Sequence, residues 1–185
     1  MDRLLGPLSA GCLALILAGC GASPPPPSRV GGTPQPAFSS RPAPTAWGAS
    51  FGSAEQLAAA ALDRLAAGDR AGLAELALSE HELRASVWPA LPASRPEVGM
   101  PWEYFWRDHA ARSGAHLAAL VSQHGGRRYR LANVTFDGET TYADVTIHRE
   151  PALDVEAPGG SSRMRLFGSM AERNGRWKLY SFIVD

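Results

Sequence analysis

The chain has 185 residues, with 18 basic and 18 acidic side chains and a formal net charge of +0 at pH 7. A nucleic-acid footprint needs a basic face, and this balance supplies none. Its length suits one domain with a core of its own rather than two.

The N-terminus reads "MDRLLGPLSAGCLALILAGCGASPPPPS". One arginine precedes an apolar run that is too short and too broken by glycine for a permanent membrane span. The run ends in Leu17-Ala18-Gly19-Cys20, which resembles the lipobox of bacterial lipoproteins. Cys12 also follows a glycine but has Ser9 at −3 and lies inside the apolar run. The resemblance implies a signal peptide over residues 1–19 and a lipid on Cys20. The chain would then sit in the cell envelope, its membrane partner reached through that lipid. Gly21 in place of aspartate favours the outer membrane facing the periplasm, where the host has two membranes. Acylation of Cys20 leaves no thiol for a disulfide, a nucleophile or a Cys-based metal site.

Residues 20–50 carry Pro, Ser, Gly and Ala with almost no periodic hydrophobicity, the composition of an extended tether. At roughly 3.1 Å per residue where polyproline-like, such a tether spans some tens of Å. Residues 51–185 form the expected domain. Ser53 and Gln56 have capping-box spacing before a helical stripe of Leu57, Ala61, Leu62 and Leu65. Gly68 stops that helix and Asp69 caps a second carrying Leu73 and Leu76. Ser79 and Glu82 repeat the box. Prolines between 89 and 99 exclude regular helix. Pro101 then opens a long helix from Trp102 to Gly125-Gly126, with Trp102, Phe105, Trp106, His109, Leu117 and Leu120 on one face. Glu103 to Arg107 and Asp108 to Arg112 have i,i+4 spacing on the other side.

After Gly126 the pattern is of strands. "RYRLANVTF" leads to Asp137-Gly138, expected as a hairpin turn; "TTYADVTIHRE", "RMRLFGSMAER" and "WKLYSFIVD" follow, the last two flanking Asn174-Gly175. The order predicts an α+β fold: N-terminal helices and one long helix packed in a curved antiparallel sheet of at least four strands. Helical pieces reading "ALDRLAAGDRAGLAEL", the long helix and a terminal strand "NGRWKLYSFIVD" together resemble the NTF2-like superfamily (SnoaL-like, related in fold to ketosteroid isomerase). The resemblance covers roughly residues 53–185 and lacks the strand pair that common members place between the early and long helices. It implies a cone with a ligand site between long helix and sheet. The fold hosts isomerases, cyclases and non-catalytic binders, so it does not fix the function.

Three chemistries are open to the side chains. His109 and His116 lie seven apart on one helix, about 10 Å along its axis, too far to share a metal with donors one turn apart; no metal site or other cofactor is expected. In "TYADVTIHR", alternation puts Tyr142, Asp144, Thr146 and His148 on one strand face and Ala143, Val145 and Ile147 on the other. If the polar face lined the cone, Asp144 or His109 could serve as a base and Tyr142 as a donor; polar alternation is also the signature of a sheet face in water. The stretch "VWPALPASRPEVGMPWEYFWRDH" gives Trp88, Trp102, Phe105, Trp106 and His109 as ligand-binding candidates. A hydrophobic clasp explains the stripe; three indoles in so small a core, each with an N–H to satisfy, also fit a pocket rim. Three functions stay open: a non-catalytic binder of a small apolar ligand or an envelope protein, an isomerase- or cyclase-like enzyme, and a structural or assembly lipoprotein.

Overall fold

A computed structural model describes residues 46–184 of the chain. Cys20, the signal segment and all but the last residues of the tether lie outside the described residues. Helix α1 (Ala54–Ala66) is capped by Ser53, whose hydroxyl accepts from the Gln56 N–H, and α2 (Arg70–Glu75) by Asp69, which accepts from the Gly72 N–H. The short α3 (Glu80–Glu82) carries a complete capping box between Ser79 and Glu82 and runs on through a wider π turn, Leu83–Val87. The proline segment forms only two 3-10 turns, Trp88–Ala90 and Pro92–Ser94. Helix α4 runs Trp102–His124 and is closed by Gly125, whose N–H bonds the Val121 carbonyl. Gly126 then takes φ +80° and donates to Leu65, tying the end of α4 to the end of α1. On the outer side of α4, Asp108 pairs with Arg112 as its spacing predicts, whereas Glu103 reaches Arg84 and Arg107 lies over the Tyr104 ring.

Seven strands follow: β1 (Arg130–Thr135), β2 (Gly138–Tyr142), β3 (Val145–Arg149), β4 (Ala152–Ala157), β5 (Gly160–Met164), β6 (Met170–Arg173) and β7 (Arg176–Leu179). They make two antiparallel sheets, in the orders β1-β4-β5 and β2-β3-β6-β7. The fold is therefore α+β, as the sequence predicts. The registers relate the two sheets. Val134 faces Leu153 in one, and Gly138 faces Arg149 in the other, four residues on in one strand and four back in its neighbour. The pairing of 130–142 with 145–157 thus runs through both sheets. Leu153 facing Met164 and His148 facing Met170 continue the next pairing likewise, with one extra residue taken up between Arg165 and Ser169. Along the chain, the two sheets thus follow one antiparallel meander order.

This corrects the expected turn. Asp137-Gly138 lies at a bend, with the Asp137 N–H donating to Arg149 across it; the reversal is at Ala143-Asp144, where Ala143 takes φ +54°. Two turn residues exchange the expected faces. Tyr142 sits opposite Val145 and shares its face, while Thr146 and His148 face the other way. Of the three residues expected in the core, Val145 and Ile147 are buried and Ala143 is exposed in the turn.

The sheet β2-β3-β6-β7 is covered on both faces. Met170 and Leu179 join α1, α2, the second half of α4 and the other sheet in one core; Val145, Ile147 and Ala171 join the π turn, the proline segment and the first turns of α4 in another. Between β7 and α3 lies a buried ion pair, Lys178 Nζ to the Glu82 carboxylate at 2.9 and 3.1 Å. Glu82 also accepts from the Gly48 N–H at 2.7 Å, and Trp47 Nε1 donates to Ser86 at 2.9 Å. Residues 47–50, tether by composition, are thus held against the domain.

Candidate functional site

Proline conformation builds the site. Pro89 and Pro92 open the two 3-10 turns, which return the chain so that Trp88 meets the start of α4. Trp88 packs edge-on to Trp102 with ring centroids 5.4 Å apart and lies 4.9 Å from Phe105. Trp102 stacks on Trp106 at 5.9 Å, and both Phe105 and Trp106 lie within 6 Å of His109. Helical spacing does the rest, since positions 102, 105, 106 and 109 share one face. All five ligand-binding candidates, Trp88, Trp102, Phe105, Trp106 and His109, therefore belong to one continuous aromatic array. Trp102 is buried and its Nε1 donates to Glu80 at 3.4 Å.

The array ends on a residue that the sequence did not single out. Tyr180 lies just beyond β7, its ring 5.1 Å from His109 and steeply inclined to it. The chain after β7 runs along α4: Ser113 Oγ accepts from the Phe182 N–H at 3.0 Å, and His116 Nδ1 from the Val184 N–H at 3.3 Å. The Tyr180 N–H is itself bonded to the Ser169 carbonyl. These bonds fix Tyr180 against His109. They also give His116 a structural role. Among the described residues no cluster of three metal-binding side chains occurs.

His109 and Tyr180 stand between two cavities. One, of about 190 Å³, lies between α4 and the α2–α3 link. Its walls are Ala74, Ala77, Leu78, Trp106, Ala110, Leu117 and Phe182, joined by the polar side chains of His109, Ser113 and Tyr180. The other, of about 350 Å³, opens on the far side of the same two rings. There Met100, Tyr104, Phe105 and Ile183 meet Asp108, Arg112, Ser169 and Ser181. The second volume falls at the lower end of small-molecule sites.

Burial lowers the pKa of His109, against the upward pull of its hydrogen bond with the Tyr180 main chain, so the ring is neutral at neutral pH. Burial, with the Tyr142 phenol adding to it, pushes the Tyr180 hydroxyl up to about 12. At neutral pH the shared wall is an uncharged imidazole beside an uncharged phenol. Each can hydrogen-bond a ligand, and neither brings a charge that an apolar ligand would have to desolvate.

The catalytic candidates separate. Asp144 is exposed in the β2–β3 turn and paired with Arg173 at 2.8 Å, lining neither cavity. A turn residue in water lacks the apolar surroundings that a raised-pKa base requires, so the expectation of Asp144 as a base fails. Tyr142 packs in the same cluster as the array, near Tyr180. His148, expected beside Asp144, instead stacks on Trp177 at 4.5 Å, with Nδ1 3.4 Å from Glu139. The carboxylate lining the larger cavity is Asp108, on the outer side of α4 with its partner Arg112.

No family model, curated protein or solved structure matches the chain.

Proposed function

We propose that the chain is a cell-envelope lipoprotein, anchored through lipid on Cys20, whose NTF2-like domain binds a small, mostly apolar molecule without transforming it. The observation that carries this reading is the shared wall: His109 and Tyr180, both neutral, between a 190 Å³ apolar cavity and a 350 Å³ cavity with polar groups at its edge. A clasp alone needs the aromatic array but not the spaces beside it. The antiparallel meander order of the strands, with α1 packed on β1 and β7, favours the NTF2-like assignment. In place of the family's first strand pair there is the Ala77–Leu179 bridge. An isomerase- or cyclase-like mechanism is left with His109 as its base, since Asp144 stands exposed in a turn, and an assembly factor would not require cavities at this helix. The lipobox supports the anchor, and no described helix is long and apolar enough to cross a membrane.

The test is native mass spectrometry of the full chain, extracted from its envelope in mild detergent, beside Trp106→Ala. The reading expects a reproducible added mass on the wild type, beyond the acyl groups, that Trp106→Ala loses. A bare acylated polypeptide in both samples overturns ligand binding.

A further inference from the structure

Three large apolar side chains are exposed among the described residues, Val98, Met100 and Tyr104, at 55%, 37% and 57% of their full exposure. They fall together, on the turn before α4 and on its first turn. Pro96 and Pro101 stiffen this segment, and Gly99 at φ +64° turns it. A stiff turn presents side chains at little entropic cost. Met100 and Tyr104 also line the 350 Å³ cavity, so the patch borders its mouth.

Charge around the patch is balanced: Arg95 and Arg107 against Glu97 and Glu103, with Arg107 lying over the Tyr104 ring. Attraction to a strongly charged partner is therefore not its basis. Nor is a protein interface, which takes about 800 Å² from each partner, far more than three side chains offer. One surface needs no such area, because the chain is already tied to it. With lipid on Cys20, the chain itself ties the domain covalently to the bilayer, and such linkage raises its effective concentration there well above that of a free partner. Weak insertion by a few side chains then suffices. Among the described residues, Trp47, where the chain enters the domain, packs in the same cluster as Trp88 and Phe105 at the start of α4.

We infer that Val98, Met100 and Tyr104 dock the domain on the phospholipid bilayer that carries its anchor, with the mouth of the larger cavity facing the lipid. The inference rests on the anchored-binder reading and adds a source for the ligand, which becomes a lipid-soluble molecule taken from or returned to that bilayer.

The experiment uses the full acylated chain in vesicles of phosphatidylethanolamine and phosphatidylglycerol. Met100→Cys carries an environment-sensitive fluorophore; acylated Cys20 leaves this thiol free for selective labelling. Ser161→Cys, exposed on β5, is the comparison site. The expected result is a blue-shifted emission and several-fold protection from iodide at position 100, with neither at position 161. Adding Val98→Asp and Tyr104→Asp should abolish both effects and leave the circular dichroism unchanged. Intact mass on the same sample tells a missing anchor from an anchored domain that does not dock. Absence of the acyl mass, or water-like emission at position 100 in the anchored chain, overturns the inference. The mass-spectrometric search for a ligand is read independently of either result.

Discussion

The imidazole of His109 and the phenol of Tyr180 meet at 5.1 Å with planes inclined at 63°. This contact joins the middle of α4 to the chain leaving β7, and it is the wall between the two cavities. Tyr180 reports on it directly. Its pKa is raised from 10.0 to about 12, so the unfolded chain loses this proton before the folded one. The associated stability is complete below about pH 10 and lost as pH rises from 10 to 12. Titration of the folded chain at 295 nm should show a phenolate step near pH 12 that disappears in Tyr180→Phe. The same step surviving in Tyr180→Phe would contradict the burial of this ring.

His109 sets the opposite limb. Its folded pKa lies below 6.5, so the unfolded state takes up the proton first as pH falls. Stability contributed by the neutral ring is present above about 6.5 and declines below it until the folded value is reached, at up to about 1.4 kcal/mol per pH unit. His124 is shifted the same way, chiefly by burial, and leaves a residual slope. Urea unfolding between pH 7.5 and 5 should therefore be less pH-dependent in His109→Asn than in the wild type. Equal slopes would mean that His109 is solvated.

The aromatic array separates stability from binding. Trp102 is buried and touches Trp88, Phe105 and Trp106, so Trp102→Ala should cost about 3–5 kcal/mol of unfolding free energy. Tyr104 stands in water, and Tyr104→Ala should stay within about 0.5 kcal/mol of the wild type. Trp106 lines the smaller cavity while stacking on Trp102. In Trp106→Ala, lost stability with an unchanged ligand mass would make the array a clasp and nothing more.

Local chemistry made much of this fold legible, and pairing made the rest illegible. Ser53, Asp69, Ser79 and Gly125 act at helix ends through bonds reaching four residues at most, which a sequence displays openly. Asn174-Gly175 behaves as its dipeptide predicts, with φ +52° and +71°. Asp137-Gly138 carries an equally good turn signal and does not turn. Reversal there would pair β1 with β2 and take β1 from β4, where Val134 and Leu153 meet in the core. The chain instead turns at Ala143-Asp144, which no turn preference marks, because that register puts Tyr142 beside Val145. Tyr142 changed faces with it, and Asp144 left the strand for the turn. Helical spacing gathered four of the five array residues, and the proline turns supplied Trp88. Tyr180 was beyond reach, since its place depends on Ser113 and His116 holding a segment nearly seventy residues away.

The Glu82–Lys178 pair yields the last prediction. Burial pushes the Glu82 carboxyl up, but bonds from the Ser79 N–H, Lys178 and the Gly48 N–H outweigh it and hold the group below its ordinary range. Removing the cation leaves a buried carboxylate with only its main-chain donors, so Lys178→Met should cost about 3–5 kcal/mol. Replacing both ends, as in Glu82→Leu with Lys178→Met, removes the stranded charge and should recover part of that loss. Recovery stops short of the wild type for a stated reason. Glu82 also closes the α3 capping box and holds Gly48, functions that no leucine replaces, and a cap alone is worth about 1 kcal/mol. A double-mutant cycle by urea unfolding should thus give a coupling of about 0.5–3 kcal/mol, with the double variant less stable than the wild type. Strict additivity would mean that the pair contributes no interaction. A double variant more stable than the wild type would mean that the ties to Ser79 and Gly48 count for little, and that residues 47–50 are not held to the domain through Glu82.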